Sequence, residues 1–369
     1  MTALVCGLAL FVNNRYERIP YGISRQKALN AVALFSVFSV LFAVSALRMN
    51  VGSDYAKYCE LFHLIRCKLD VPTVVPTEFG FNAVCILLYL LCGRQEIYPV
   101  MFALFAFLTL FFFLRSMYLL SDWFPFTFFL FMTLGFYFQS FSTVRYYFAL
   151  ALALYSIRYC IGREWMKFLL LILVGASFHK SLLVCIPLYF MAQLPWKAWG
   201  YALAAAFCTT FFFFEDQYMA IFLKLYPTYE ATEYLEGGTS VISIIRCAAI
   251  LVFSLFFYRE HIRNDRTLSF YFLCNLMALA LYVCCGFLPV ISRVGYYLTV
   301  THIFFIPALL KRVSDDRKRR LLSALVAVGC LGYFAVFILY KASGVGLRIL
   351  PYQTFLYHDM VTILSEVTP

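Results

Sequence analysis

The side chains in this sequence best suited to chemistry are a scattered set of arginines, two acids and one histidine at the ends of long uncharged runs. Arg48, Arg145, Arg293 and Arg348 each offer a planar donor fork that matches two phosphate oxygens at once. Asp54 and Glu78 carry carboxylates able to take a proton from a sugar hydroxyl, and His179, in A-S-F-H-K-S-L-L, carries an imidazole that titrates near neutrality and can do the same. Ser181 stands beside it as a hydrogen-bonding hydroxyl, while Tyr296, Tyr297 and Tyr352 supply rings near the arginines that can stack on sugars. Together these residue types describe a site for an anionic, hydroxylated ligand. Each also has a plainer use: an arginine snorkels to headgroup phosphate, Asp54 caps a helix, Glu78 answers a helix dipole, and tyrosines form an interfacial belt. Of the other histidines, His63, His261 and His358 fall in loops or the tail, and His302 lies in a span without an obvious partner.

Positioning these groups falls to apolar helices. With 63% hydrophobic and 13% charged residues in 369, and mean hydropathy +0.82, the chain has too little polar surface to cover a soluble domain. The composition predicts an all-α polytopic integral membrane protein forming one membrane domain over residues 1–369. Candidate spans fall at about 1–12, 28–47, 97–114, 123–141, 145–161, 166–178, 181–192, 198–222, 241–257, 268–288, 294–310 and 321–340. That is about twelve transmembrane helices. The first run has no basic stretch before it and no small-residue cleavage pattern after it, so it reads as a first helix or signal anchor.

Lys and Arg collect in loops on the inner side, which fixes orientation. Arg15, Arg18, Arg25 and Lys27 form one such anchor, and Lys311, Arg312, Arg317, Lys318, Arg319 and Arg320 form another. Placing both inside requires that the 14-residue run 79–92 not cross, so it is predicted to be re-entrant or to lie on the surface. The inner loops then hold 18 Lys and Arg against 7 Asp and Glu, and the outer side 12 against 12. The net charge of +11 thus sets topology and faces membrane lipid, and it argues against a nucleic-acid partner. Segment 48–96 becomes an outer amphipathic and re-entrant stretch, with Tyr55, Tyr58, Phe62, Ile65 and Leu69 on one helical stripe ended by Pro72 and Pro76. Residues 341–369 become an outer tail. Glu215, Asp216, Glu230, Glu233 and Glu236 are expected in a solvated outer loop with Gly237 and Gly238.

The 13 cysteines show no zinc spacing, and no acidic metal motif stands out, so neither a metal nor another cofactor is expected. Cys59 and Cys67 would lie about 12 Å apart on a helix, too far for a disulfide.

The order G-S-D-Y (52–55), T-E-F-G-F-N (77–82), L-G-F-Y-F-Q-S-F-S-T-V-R-Y-Y-F-A-L-A-L-A-L-Y (134–155), K-F-L-L-L-I-L-V-G-A-S-F-H-K-S-L-L (167–183), S-R-V-G-Y-Y (292–297) and L-P-Y (350–352) resembles the EpsG family of bacterial polysaccharide polymerases, related to Wzy-type O-antigen polymerases. Arg145 is followed here by Tyr146 and Tyr147 where the family usually shows R-Q-G-L-A, and Ser53 stands where many members carry proline. The resemblance implies a GT-C-like membrane glycosyltransferase of exopolysaccharide or O-antigen synthesis in the bacterial plasma membrane, its site facing the periplasm. It implies undecaprenyl-pyrophosphate-linked oligosaccharide as substrate, with the growing chain passing from its lipid carrier to the non-reducing sugar of another unit. A chain-length regulator protein is the partner it suggests. Arg48, Arg145 and Arg293 would then hold pyrophosphate, Tyr296, Tyr297, Tyr352 and Ser181 the sugars, and His179, Asp54 or Glu78 would act as base.

Two other functions compete. An O-antigen ligase keeps the arginine set and changes the acceptor, but is expected to carry a larger outer loop. A flippase for the same lipid-linked glycan is expected to have inverted repeats and charges deep in several spans, whereas only Arg246 lies deep here.

Overall fold

The computed structural model describes residues 1–15, 24–67, 78–225, 241–288, 291–344 and 346–357. Arg18, Leu69, Pro72, Pro76, the acids Glu230, Glu233 and Glu236 with Gly237 and Gly238, and His358 lie outside them. The described chain is helical, with no strand and one isolated bridge between Arg48 and Thr354.

In chain order the α-helices are α1 (Thr2–Ala9), α2 (Arg25–Ala46), α3 (Tyr55–Cys67), α4 (Phe79–Leu91), α5 (Tyr98–Leu120), α6 (Phe124–Thr133), α7 (Phe136–Gln139), α8 (Val144–Ile161) and α9 (Trp165–Ala176). They continue as α10 (Cys185–Met191), α11 (Ala198–Phe213), α12 (Glu215–Leu225), α13 (Val241–Leu255), α14 (Arg266–Cys284), α15 (Ile291–Thr299), α16 (His302–Lys311) and α17 (Asp316–Val336). Among the described residues, five stretches are long and apolar enough to cross a membrane: Arg25–Ala46, Tyr98–Leu120, Arg266–Cys284, Ile291–Lys311 and Asp316–Lys341. Several other helices are apolar but shorter, so the structure carries a multi-pass membrane protein without fixing twelve crossings.

The differences have local causes. α1 is eight residues, about 12 Å at 1.5 Å per residue, because the chain turns at Asn13 and Asn14. The Asn13 amide donates to Asn30 Oδ1 at 2.9 Å, and Asn14 Nδ2 donates to the carbonyls of Tyr118 and Ser121 at 3.1 and 2.7 Å, capping the end of α5. The run 198–222 is two helices broken at Phe214. Glu215 and Asp216 form the exposed first turn of α12, where a helix dipole favours carboxylates, and not a loop. Run 123–141 likewise breaks between α6 and α7.

Helices that start at the Lys- and Arg-rich ends carry side-chain caps. Ser24 Oγ accepts from the Lys27 amide at 3.1 Å, Asp265 Oδ1 from Thr267 and Leu268 at 2.8 and 3.1 Å, and Asp315 Oδ1 from Arg317 and Lys318 at 2.8 and 3.3 Å. Those two amides hold the Asp315 carboxyl below its ordinary range, so its cap persists through neutral pH.

The chain groups into two compact units. Residues 1–155, 170–180 and 313–369 form the first, and 156–169 with 181–312 the second. In the first, the α3 residues that share a face pack against protein: Tyr55, Tyr58, Phe62 and Ile65 are buried against Phe81 and Cys85 of α4, Met101, Phe102 and Phe105 of α5, and Phe148 of α8. In the second, α14 packs against α13, α15 and α16, and the ion pair of Arg312 with Asp265 at 3.1 Å ties the end of α16 to the start of α14.

Candidate functional site

Three of the motifs meet in the first unit. Glu78 occupies the N-cap position of α4 but makes no cap bond, and its carboxylate pairs with Nη1 of Arg145 in the first turn of α8. Two residues on, the Gly80 amide donates to the Ser177 carbonyl at 2.7 Å, which brings the turn after α9 against the start of α4. His179 ends that turn, its amide bonded to the Gly175 carbonyl at 3.0 Å. Its ring stands edge-on to Tyr146, with centroids 5.3 Å apart. Tyr58 of α3 completes the group: its hydroxyl accepts from the Arg145 amide at 3.4 Å, and its ring lies 5.7 Å from the guanidinium carbon. The Phe81 ring backs the same guanidinium at 5.2 Å.

The electrostatics favour an anion here. Two helix N-termini, those of α4 and α8, carry the positive ends of their dipoles to Glu78 and Arg145. The pair is partly screened, with side-chain exposures of 17% for Arg145 and 21% for Glu78. Arg145 Nε is buried and has no hydrogen-bond partner among the described residues. Burial pushes the Tyr58 phenol above its ordinary range, so it stays protonated beside the cation. Asp54 lies half-buried just before α3, its carbonyl accepting from the Tyr58 amide at 3.0 Å.

Gly80 makes the junction possible. A Cβ there would fall 2.4 Å from Ser177 Oγ and 2.8 Å from the Ser177 carbonyl oxygen. Gly80→Ala is therefore expected to cost about 1–3 kcal/mol through overpacking and to lower both the thermal midpoint in detergent and activity. An unchanged midpoint would mean that α4 and the 177 turn are not in contact.

Arg48 lies elsewhere in the unit and corrects the expectation of a ligand-facing fork. It is 2% exposed and sandwiched between Phe102 and Phe141, each ring centroid 5.0 Å from its guanidinium carbon. Nη1 donates to the Ser45 carbonyl and hydroxyl at 2.6 and 3.0 Å, and Nη2 to the Phe141 carbonyl at 3.5 Å. This cation organises backbone. The C-terminal segment covers it: Met49 and Gly52 amides donate to the Gln353 and Arg348 carbonyls at 3.0 and 2.8 Å, and Ser142 Oγ donates to the Leu347 carbonyl at 2.9 Å. The Tyr352 hydroxyl likewise donates to the Val44 carbonyl at 2.7 Å, which tethers the segment to the end of α2. Gly52, at φ +103°, has no room for a Cβ, which would sit 2.2 Å from the Phe141 carbonyl oxygen. Arg348 is exposed.

The remaining candidates belong to the second unit. Arg293 is exposed and Tyr296 half-buried at the start of α15. Tyr297 and Ser181 depart from the sugar-binding expectation: Tyr297 is 0% and Ser181 6% exposed, and their hydroxyls bond to each other at 3.0 Å inside the unit. Sequence spacing missed a buried polar group there. His302 of α16, with neither ring nitrogen hydrogen-bonded to a described residue, lies within the field of Arg246 of α13, whose Nε and Nη2 also lack such partners. Arg246 was visible as a charge in an apolar run; its proximity to His302 was not.

A family model described as the EpsG family matches residues 31–354, from within α2 to the covering C-terminal segment. Comparison with curated proteins gave no match, nor did comparison with solved structures.

Proposed function

Because the chain belongs to the EpsG family, a family of Wzy-like polysaccharide polymerases, we propose that it polymerises lipid-linked repeat units at the outer face of the bacterial plasma membrane. The growing glycan passes from undecaprenyl pyrophosphate to the non-reducing sugar of another lipid-linked unit. The observation that carries this reading is the contact of Glu78, Arg145 and Tyr58, with His179 edge-on to Tyr146, the residue that follows Arg145, all within the first unit.

At rest Glu78 fills the anion position beside Arg145. A pyrophosphate bears more charge and more acceptor oxygens than one carboxylate, so it displaces Glu78 and takes the fork and the two helix N-termini. The acceptor hydroxyl oxygen then bonds to the anomeric carbon as the bond from that carbon to pyrophosphate breaks. The hydroxyl proton goes to His179, and the leaving pyrophosphate gathers its charge against Arg145. A chain-length regulator is assigned an accessory role.

Product analysis of a deletion strain tests the assignment. Loss of long polymer with single lipid-linked units retained at the outer leaflet supports it. Units trapped at the inner leaflet would make the protein a flippase, and full-length polymer left on its lipid would make it a ligase.

A further inference from the structure

A second constellation in the first unit lies outside the site just described. On the last turns of α3, His63 and Cys67 are four residues apart and so share a face, with His63 Nε2 3.5 Å from Cys67 Sγ. The other ring nitrogen, Nδ1, meets both oxygens of Glu96 at 2.9 and 3.1 Å. Glu96 is itself held by the Tyr98 hydroxyl at 2.7 Å and by Arg66 Nε at 3.5 Å. Arg66 also directs Nη1 at the sulfur, 3.6 Å away.

We propose that Cys67 is an activated thiol that undergoes thiol–disulfide exchange at the membrane surface. The carboxylate fixes the imidazole tautomer with hydrogen on Nδ1, which turns the Nε2 lone pair toward the thiol. Nε2 takes the thiol proton, and Arg66 faces the resulting thiolate. Sγ then attacks one sulfur of an incoming disulfide. A mixed disulfide forms on Cys67, the second sulfur leaves as a thiolate, and the imidazolium returns the proton to it. Acyl transfer fits less well, because the sulfur stands at a helix C-terminus, which presents carbonyls and not the free N–H groups an oxyanion needs. Access is adequate: Cys67 is half-buried and the His63 side chain is 34% exposed.

The test is the reaction of the detergent-purified full chain with 5,5′-dithiobis(2-nitrobenzoate), mapped by peptide mass spectrometry and compared with Cys92, another half-buried cysteine. Cys67 should form its mixed disulfide roughly tenfold faster than Cys92, and His63→Gln or Glu96→Gln should remove most of that advantage at an unchanged thermal midpoint. Equal rates at Cys67 and Cys92 in the unmodified chain would overturn the proposal whether or not either variant folds. So would an advantage untouched by both variants, which would leave His63 and Glu96 as a fastening between α3 and the start of α5.

Discussion

Arg145→Lys is expected to abolish long polymer nearly as completely as Arg145→Ala. Lysine keeps the charge but loses the planar fork, and the loss of a donor aimed at developing charge typically costs about 10²- to 10³-fold in rate. The alanine variant carries a second penalty, since it leaves Glu78 partly buried without its cation, a change worth about 3–5 kcal/mol in a fully buried pair and less at this exposure. Combining Arg145→Ala with Glu78→Gln separates the effects: the double variant should regain thermal stability while polymer stays absent. Polymer length on gels at matched membrane levels is the readout. Wild-type polymer from the lysine variant would reduce Arg145 to a structural cation.

His179→Ala is expected to lower turnover by about 10²- to 10⁴-fold, the range for loss of a general base, while the protein still inserts and still retains lipid-linked units. Part of any stability change will reflect the lost edge-on contact with Tyr146, about 0.5–1.5 kcal/mol, so the thermal midpoint is measured alongside. Asp54→Asn and Glu78→Gln should be milder. Normal polymer from His179→Ala, with one of the acid variants dead, would move the base to that carboxylate and leave His179 to orient substrate.

Periodicity served where the partners are close along the chain. The α3 stripe was legible because residues spaced three and four apart must share a face, and the tight turn at His179 was legible because the helices beside it are short. Pairing across the chain was not. Glu78 and Arg145 are 67 positions apart, and nothing in either segment states a distance. The shared inward turn of Gly80 and Ser177 depends on a missing side chain, which no hydrophobic pattern registers. Arg48 misled for a physical reason: an arginine at the end of an apolar run normally reaches for headgroups, and only the folded chain reveals two phenylalanine rings and backbone carbonyls around it. Tyr297 misled similarly, because an aromatic pair beside an arginine looks the same whether it faces a ligand or a neighbouring serine.

The cover over Arg48 has a consequence for biogenesis. The cation emerges early, at the end of α2, but the segment that closes over its loop arrives much later; Tyr352 fastens to Val44 across 308 positions. At 5–20 residues per second, ribosomal synthesis leaves that loop unfinished for on the order of 15–60 s. During that interval the guanidinium already has Ser45 and Phe141, but the Met49 and Gly52 amides, which later pair with the Gln353 and Arg348 carbonyls, must rely on water. The last dozen described residues therefore act as a completion seal, and a chain released before residue 347 should be recognised as immature by membrane proteases even though the five long apolar stretches among the described residues have been made.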